Sequence, residues 1–251
     1  MKLQIKRNYW QRDIKKLEYT IGIAKGVGLI VIISQLFYES FIVTILLAPL
    51  LIYFFKNWNE EFIKKKKVEF QMQFKDSMQS MIAALRVGYS VENAMKETLK
   101  DLKKVYSKQA KIIREYNYMI QQINMNVPVE KVLEEFARRV EQEDVQNFVT
   151  VFVMSKRSGG DSVSILKNAI HNICEKIEVN SEIQIIMAAK KMEFQFMTII
   201  PFGIIIYMRL SFSEFMNVLY GNTAGIIIMS VCLALYAGAY QIGKGIIEIE
   251  V

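Results

Sequence analysis

With 251 residues, 52% of them apolar, and a positive mean hydropathy, the chain is too apolar for an ordinary soluble domain. It is long enough for one sizeable helical core plus membrane segments. The formal charge of +7 does not argue for nucleic acid, because the basic residues gather beside the apolar blocks, where anionic lipid and insertion topology account for them. One histidine leaves a transition-metal site without ligands. The two cysteines, Cys174 and Cys232, have neither metal-type spacing nor a disulfide framework, which suits a reducing compartment. Three prolines and the lack of Gly/Pro/Ser-rich runs favour long helices.

Residues 1–20 are polar and basic (Lys2, Lys6, Arg7, Arg12, Lys15, Lys16), longer than the n-region of a signal peptide. The apolar stretch behind them has no small-residue cleavage site, so they are expected to stay in the mature protein as a cytosolic arm. Residues 21–55 form an apolar block of about 35 residues, too long for one crossing of the roughly 30 Å hydrocarbon layer and slightly short for two. Its polar interruption, Ser34-Gln35 and Glu39-Ser40, predicts a hairpin of two short helices, Ile21 to Leu36 and Phe41 to Phe55, with Tyr19 and Trp58 as interfacial anchors. A second block, 196–243, divides into Phe196 to Phe212 and Thr223 to Gly243 around Ser213, Glu214, Asn217, Gly221 and Asn222. Two hairpins place the arm, the central domain 56–195 and the tail 244–251 on the cytoplasmic side, with Arg209 alone near an outer end, as the positive-inside rule requires. A single crossing in the first block would send out either the arm or the Lys64 to Lys67 run, and is rejected on that ground. Lys25 lies close enough to the inner end of its span to snorkel.

The central domain reads as six helices. Phe70, Phe74, Met78, Met81, Ile82 and Leu85 share one face of the first, which ends at Gly88; Ser90 is placed to cap the second, with Val91, Ala94, Met95, Thr98, Leu99 and Leu102 inward. A third carries Tyr106, Ala110, Ile113, Tyr116, Ile120 and Ile123, and is interrupted by Val127-Pro128, with Pro128 in the first turn of the fourth. That fourth helix buries Val129, Val132, Leu133, Phe136, Ala137 and Val140, and turns Glu130, Lys131, Glu134, Glu135, Arg138 and Arg139 to water. A fifth, Val145 to Met154, is apolar on most sides and is expected at the centre of the bundle; Ser158-Gly159-Gly160 ends it. The sixth starts near Asp161 or Ser162, carries Ile165, Leu166, Ala169, Ile170, Ile173 and Ile177, and either breaks near Val179-Asn180 or projects as a stalk.

In these turns the chain resembles a known family. Leu85-Arg86-Val87-Gly88-Tyr89-Ser90-Val91-Glu92-Asn93-Ala94 resembles the "L-R-A-G-hydrophobic/aromatic-S-x-x-x-A" turn of the type II secretion F domain. Asn126-Val127-Pro128 and Ser158-Gly159-Gly160-Asp161 fall where that family has its "G-x-P/S" and "T-G-G" turns. Asn126 stands where glycine is usual, and Arg157-Ser158 where Gln-Thr or Arg-Thr is. The likeness spans about Phe70 to Phe202 and looks most like the Flp/Tad pilus assembly platform proteins, which carry one F domain between two transmembrane hairpins. It implies an all-α fold, a six-helix cytosolic bundle between two transmembrane hairpins, at the inner membrane. It also implies contact with a secretion ATPase, membrane helices facing pilin subunits, and work as a dimer or beside a sister platform protein.

The residues themselves admit plainer readings. Arg86, Tyr89 and Ser90 are a capped corner between helices or a surface shown to the motor. Gly159, Gly160 and Asp161 do not make a phosphate loop, for the lysine-serine pair is missing. Glu134, Glu135, Glu141, Glu143 and Asp144 are a solvated face or a surface for a cation or a basic partner, and Glu134 and Glu135 are the second set of motor-facing candidates. His171 is structural unless a carboxylate approaches it, Cys174 packs in the core, and Lys64 to Lys67 answer to topology and lipid headgroups. The methionines are adaptable packing, with Met192 and Met197 placed to sit at a changing interface. The function expected is a platform coupling a secretion ATPase to pilin assembly, with no catalytic centre, cofactor or metal. The alternative is a membrane-anchored scaffold or signalling protein, while a transporter would need more polar residues in its spans and an enzyme a nucleophile, base and oxyanion set.

Overall fold

The computed structural model describes residues 9–10, 16–39, 41–46, 49–158, 162–220 and 222–247. Among these, every regular element is helical: α1 (Lys16–Tyr38), α2 (Phe41–Leu46), α3 (Pro49–Val87), α4 (Val91–Val105), α5 (Lys111–Asn124), α6 (Val129–Val140), α7 (Glu143–Ser158), α8 (Ser162–Ser211), α9 (Ser213–Tyr220) and α10 (Thr223–Ile247). They form two compact units, Met1–Asp13 with Phe62–Ser181, and Ile14–Glu61 with Glu182–Val251.

In the first unit Phe70, Phe74, Met78, Met81 and Leu85 line the core-facing side of α3 at helical spacing. The helix stops because Gly88, at φ +99°, takes a left-handed turn that a Cβ would strain. Gly88 N–H then donates to Leu85 O at 3.2 Å and Tyr89 N–H to Ala84 O at 3.3 Å, the paired bonds of a Schellman ending. Ser90 Oγ accepts from Asn93 N–H at 3.4 Å and opens α4, which buries Ala94, Met95, Thr98, Leu99 and Leu102 as expected. The third expected helix differs. Tyr106 sits in extended backbone after α4 and donates its hydroxyl to Asp76, and α5 begins only at Lys111. The helical period therefore restarts after this turn, and Ile112, Ile113, Tyr116 and Met119 form the buried stripe while Ile120 and Ile123 are half-buried.

The turn from α5 to α6 explains how this chain departs from the usual glycine. Asn126 has φ +61°, and asparagine is among the few residues besides glycine that enter the left-handed region readily. Val127 N–H donates to Gln122 O at 3.1 Å, the same ending as at Gly88. Pro128 stands one place before α6, as its N-cap, and α6 buries all six of its expected apolar residues. The next helix, α7, shows one buried face (Asp144, Val145, Phe148, Val149, Phe152, Ser155) and one exposed face (Gln146, Asn147, Thr150, Met154), so it lies on a side of the core and not at its centre. Leu166, Ile170, Ile173, Cys174 and Ile177 of α8 complete the core, Ile165 stays exposed, and the helix runs unbroken through Val179 and Asn180.

In the second unit Leu36, Phe37 and Met229 pack with Phe202, Leu219 and Leu233. Among the described residues, three helices are long and apolar enough to cross a membrane: Thr20–Tyr38, Ser164–Ser211 and Thr223–Ile247. The stretch Phe41 to Phe55 is divided between the six-residue α2 and the start of α3, where Pro49 suits a first helical position. Both described parts of this stretch are helical, and residues 47–48 between them lie outside the described residues. At the end of α1, Glu39 turns left-handed at φ +48° and pairs with Arg209, which also donates to Gln35 O at 3.1 Å. Tyr220 donates to Leu36 O at 2.5 Å beside them.

Candidate functional site

Side-chain pairs across neighbouring helices fix the direction of each in the first unit. Ser80 donates to Asp101 at 2.9 Å between α3 and α4; Arg139 pairs with Glu115 at 2.8 Å, and Gln122 with Glu135 at 2.9 Å, between α5 and α6. Lys156 meets Glu130 at 2.6 Å between the last turns of α7 and the first of α6, and Lys176 of α8 meets Glu143 at the start of α7 at 2.9 Å. These helices are antiparallel in sequence order. The turn at Gly88 to Ser90, the turn at Met125 to Pro128 and the end of α7 consequently lie at one end of the unit. Trp10, the turn after Tyr106 and the α6–α7 junction lie at the other.

The turn end brings together the first three candidates. Arg86, Tyr89 and Ser90 are exposed there, as are Val87 in the same corner and Met125 in the other turn at that end, at 79% and 76%. Among the described residues Arg86 makes no ion pair. The acidic candidates stand apart, on the outward side of α6: Glu134 is exposed, while Glu135 is half-buried, accepts from Gln122 and lies 3.8 Å from Arg139. Gly88 and Pro128 hold the two turns just described, and Gly159, Gly160 and Asp161 lie outside the described residues.

Of the remaining acids, Asp144 and Glu143 are already engaged. Asp144 is buried and accepts from Gln71 at 2.6 Å, with Lys176 at 3.4 Å. A hydrogen bond from Lys176 holds the Glu143 carboxyl below its usual range, and the same bond pushes the Lys176 ammonium up. A hydrogen bond from Lys156 does likewise for Glu130, which the sequence pattern had turned to water. Glu141 caps α6 in left-handed backbone at φ +51°. This is a set of interhelical ion pairs, and among the described residues no group of His, Cys, Asp and Glu is arranged to hold a metal ion. His171 does have a carboxylate, Glu175, at 3.2 Å, but both side chains stand in solvent. Burial pushes the Cys174 thiol up to about 11, which leaves it protonated and suited to packing.

One structural anchor lies outside everything the helical pattern indicates. Trp10 is 2% exposed, and its Nε1 donates to Val140 O at 3.1 Å. Its ring meets Phe70 edge-on at 5.5 Å. Tyr9 donates to Glu115 Oε1 at 2.8 Å, while Glu115 Oε2 accepts from Arg139; Lys111 lies over both rings, 4.2 Å from Tyr9 and 4.0 Å from Trp10. The signal in the sequence is a lone aromatic pair within a basic stretch. Such a pair must find a partner, but nothing local says which.

Compared with known proteins, residues 78–209 match the model of the family described as Type II secretion system (T2SS), protein F. The match takes in α4 to α7 whole and all but the last residues of α8. No curated protein and no solved structure matches the chain.

Proposed function

This chain belongs to the type II secretion system protein F family, and from that premise we propose that it is the inner platform of a Flp/Tad-type pilus or type II-like secretion machine, coupling a cytosolic secretion ATPase to pilin assembly. The coarser statement stands on the family: the chain is a membrane protein of the platform type used in type II secretion and pilus assembly. The observation that carries the finer reading is the F-domain match at residues 78–209 with helices fit to span a bilayer before it, Thr20–Tyr38, and after it, Thr223–Ile247.

In this reading both apolar blocks cross twice, and the helical unit and both termini face the cytoplasm. Arg86, Tyr89 and Ser90, at the turn end, are the first surface offered to the ATPase, and Glu134 and Glu135 a second. The membrane helices face pilin subunits, beside a second copy or a sister platform protein. The part has no catalytic step: it transmits movement, and an α8 unbroken through Val179 supports its use as the transmitting element.

The test is co-purification of the detergent-solubilised chain with the secretion ATPase of its own cell. Wild type is compared with Arg86→Glu and with Glu134→Lys/Glu135→Lys. Capture that one reversal abolishes supports the coupling and locates the contact. A folded chain that captures no ATPase sinks it in favour of a membrane-anchored scaffold. A short Gly/Ser insertion near Val179 separately tests the transmission, since normal pilus assembly with that insert would rule it out.

A further inference from the structure

The end of the helical unit opposite the turns carries a lysine surface drawn from two distant parts of the sequence. Lys64, Lys65 and Lys67 of α3 are exposed there, as are Lys103 and Lys104 at the close of α4 and Lys108 in the turn that follows. The antiparallel pairing brings them to one end: Tyr106 reaches Asp76, and Ile112 N–H donates to Gln73 Oε1 at 3.3 Å. Lys65 lies about three helical turns before Asp76 and so shares its azimuth, the side of α3 on which the α4–α5 turn packs.

Acids neutralise only part of this charge. Glu69 takes Lys66 at 3.1 Å and Asp101 takes Lys104 at 2.9 Å. Among the described residues Lys64, Lys65, Lys67, Lys103 and Lys108 form no ion pair. Lys64 follows the apolar block 21–55 by so few residues that, whatever the intervening conformation, it stays within about 30 Å of the end of that block. Unneutralised lysines this close to an apolar, membrane-length stretch match the chemistry of anionic headgroups. Single-stranded nucleic acid would call for exposed aromatic platforms among the lysines, and the aromatics at this end are half-buried or buried and engaged: Tyr106 with Asp76, Phe62 under Lys66, and Tyr9 and Trp10 with Glu115 and Val140.

We propose that this lysine surface binds anionic lipid headgroups. The inference rests on the membrane reading above and is independent of the motor. The full chain is placed in nanodiscs of phosphatidylcholine alone, or of phosphatidylcholine with phosphatidylglycerol, and the acylation rate of each lysine is followed by mass spectrometry. Lys65, Lys103 and Lys108 are expected to react several-fold more slowly in the anionic discs, and high salt should restore their rates. Lys131, exposed at the turn end, should not change. A Lys65→Gln/Lys103→Gln/Lys108→Gln variant, altered only at exposed positions, should retain less phosphatidylglycerol through purification. Equal rates in both discs overturn the proposal, as does protection by added RNA in neutral discs without protection by phosphatidylglycerol. A chain that enters no disc at all fails earlier, at the membrane reading itself.

Discussion

The two units use the same kinds of side chain in opposite ways. In the first, Phe70, Phe74 and Ile170 are 1%, 1% and 0% exposed; in the second, Ile199, Ile204 and Leu235 are 62%, 56% and 69% exposed. Apolar surface left in water costs about 25 cal/mol per Å², so the first unit must turn it inward. Against hydrocarbon there is no such cost, and packing alone decides which residues meet. The difference shows in the helices themselves. Polar residues on the outer side of α6 sort it into two faces, whereas α10 is apolar nearly all round and leaves most of its surface outward.

Substitutions can break this contrast. The largest effect is expected at Trp10: Trp10→Ala should cost about 3–5 kcal/mol of stability, read by chemical denaturation of the detergent-solubilised chain with circular dichroism. Ile204→Ala in the same assay should stay within about 0.5 kcal/mol, and a loss as large as that at Trp10 would show that the outward face is covered. Leu235→Arg inverts the comparison. It should disfavour membrane insertion by about 2.5–3.5 kcal/mol in a glycosylation-site insertion assay, and normal insertion would mean that α10 does not face lipid. At the turn, Asn126→Ala should cost about 1 kcal/mol and Asn126→Gly close to nothing, because only the left-handed backbone is at stake.

The smallest expected effect is a pH dependence confined to the first unit. The Glu130 carboxyl lies below its ordinary value in the folded chain because Lys156 donates to it. Its contribution is therefore present above the unfolded carboxylate range and is lost as pH falls through the lower, folded value. Melting temperatures recorded from neutral to acid pH should fall less steeply for Glu130→Gln than for wild type. Identical slopes would remove Glu130 from the acid response.

Most of the helices and two of the turns were legible because their causes are local. The α4 and α6 stripes, the Gly88 stop and the Ser90 cap each depend on residues within about one helical turn of one another. Of the proposed motor surfaces, the corner trio could be read as a unit from its turn, but that the turn at Met125 lies at the same end of the unit could not. The α5 stripe was misplaced because periodicity carries across a break it cannot register, the turn after Tyr106.

The sequence by itself therefore determined where apolar and polar runs alternate, which residues can turn the chain, and that the chain is all-helical with apolar blocks on both sides of a charged domain. Only the tertiary structure decided that Trp10 fills a gap beside Phe70 and Val140, that Asp144 is buried against Gln71 and Lys176, and that lysines from α3 and α4 share one end. Those outcomes join residues tens of positions apart. Their partners are chosen by how closed helices pack, through side-chain shape and the need to pair buried polar groups, and no local window of the chain contains that information.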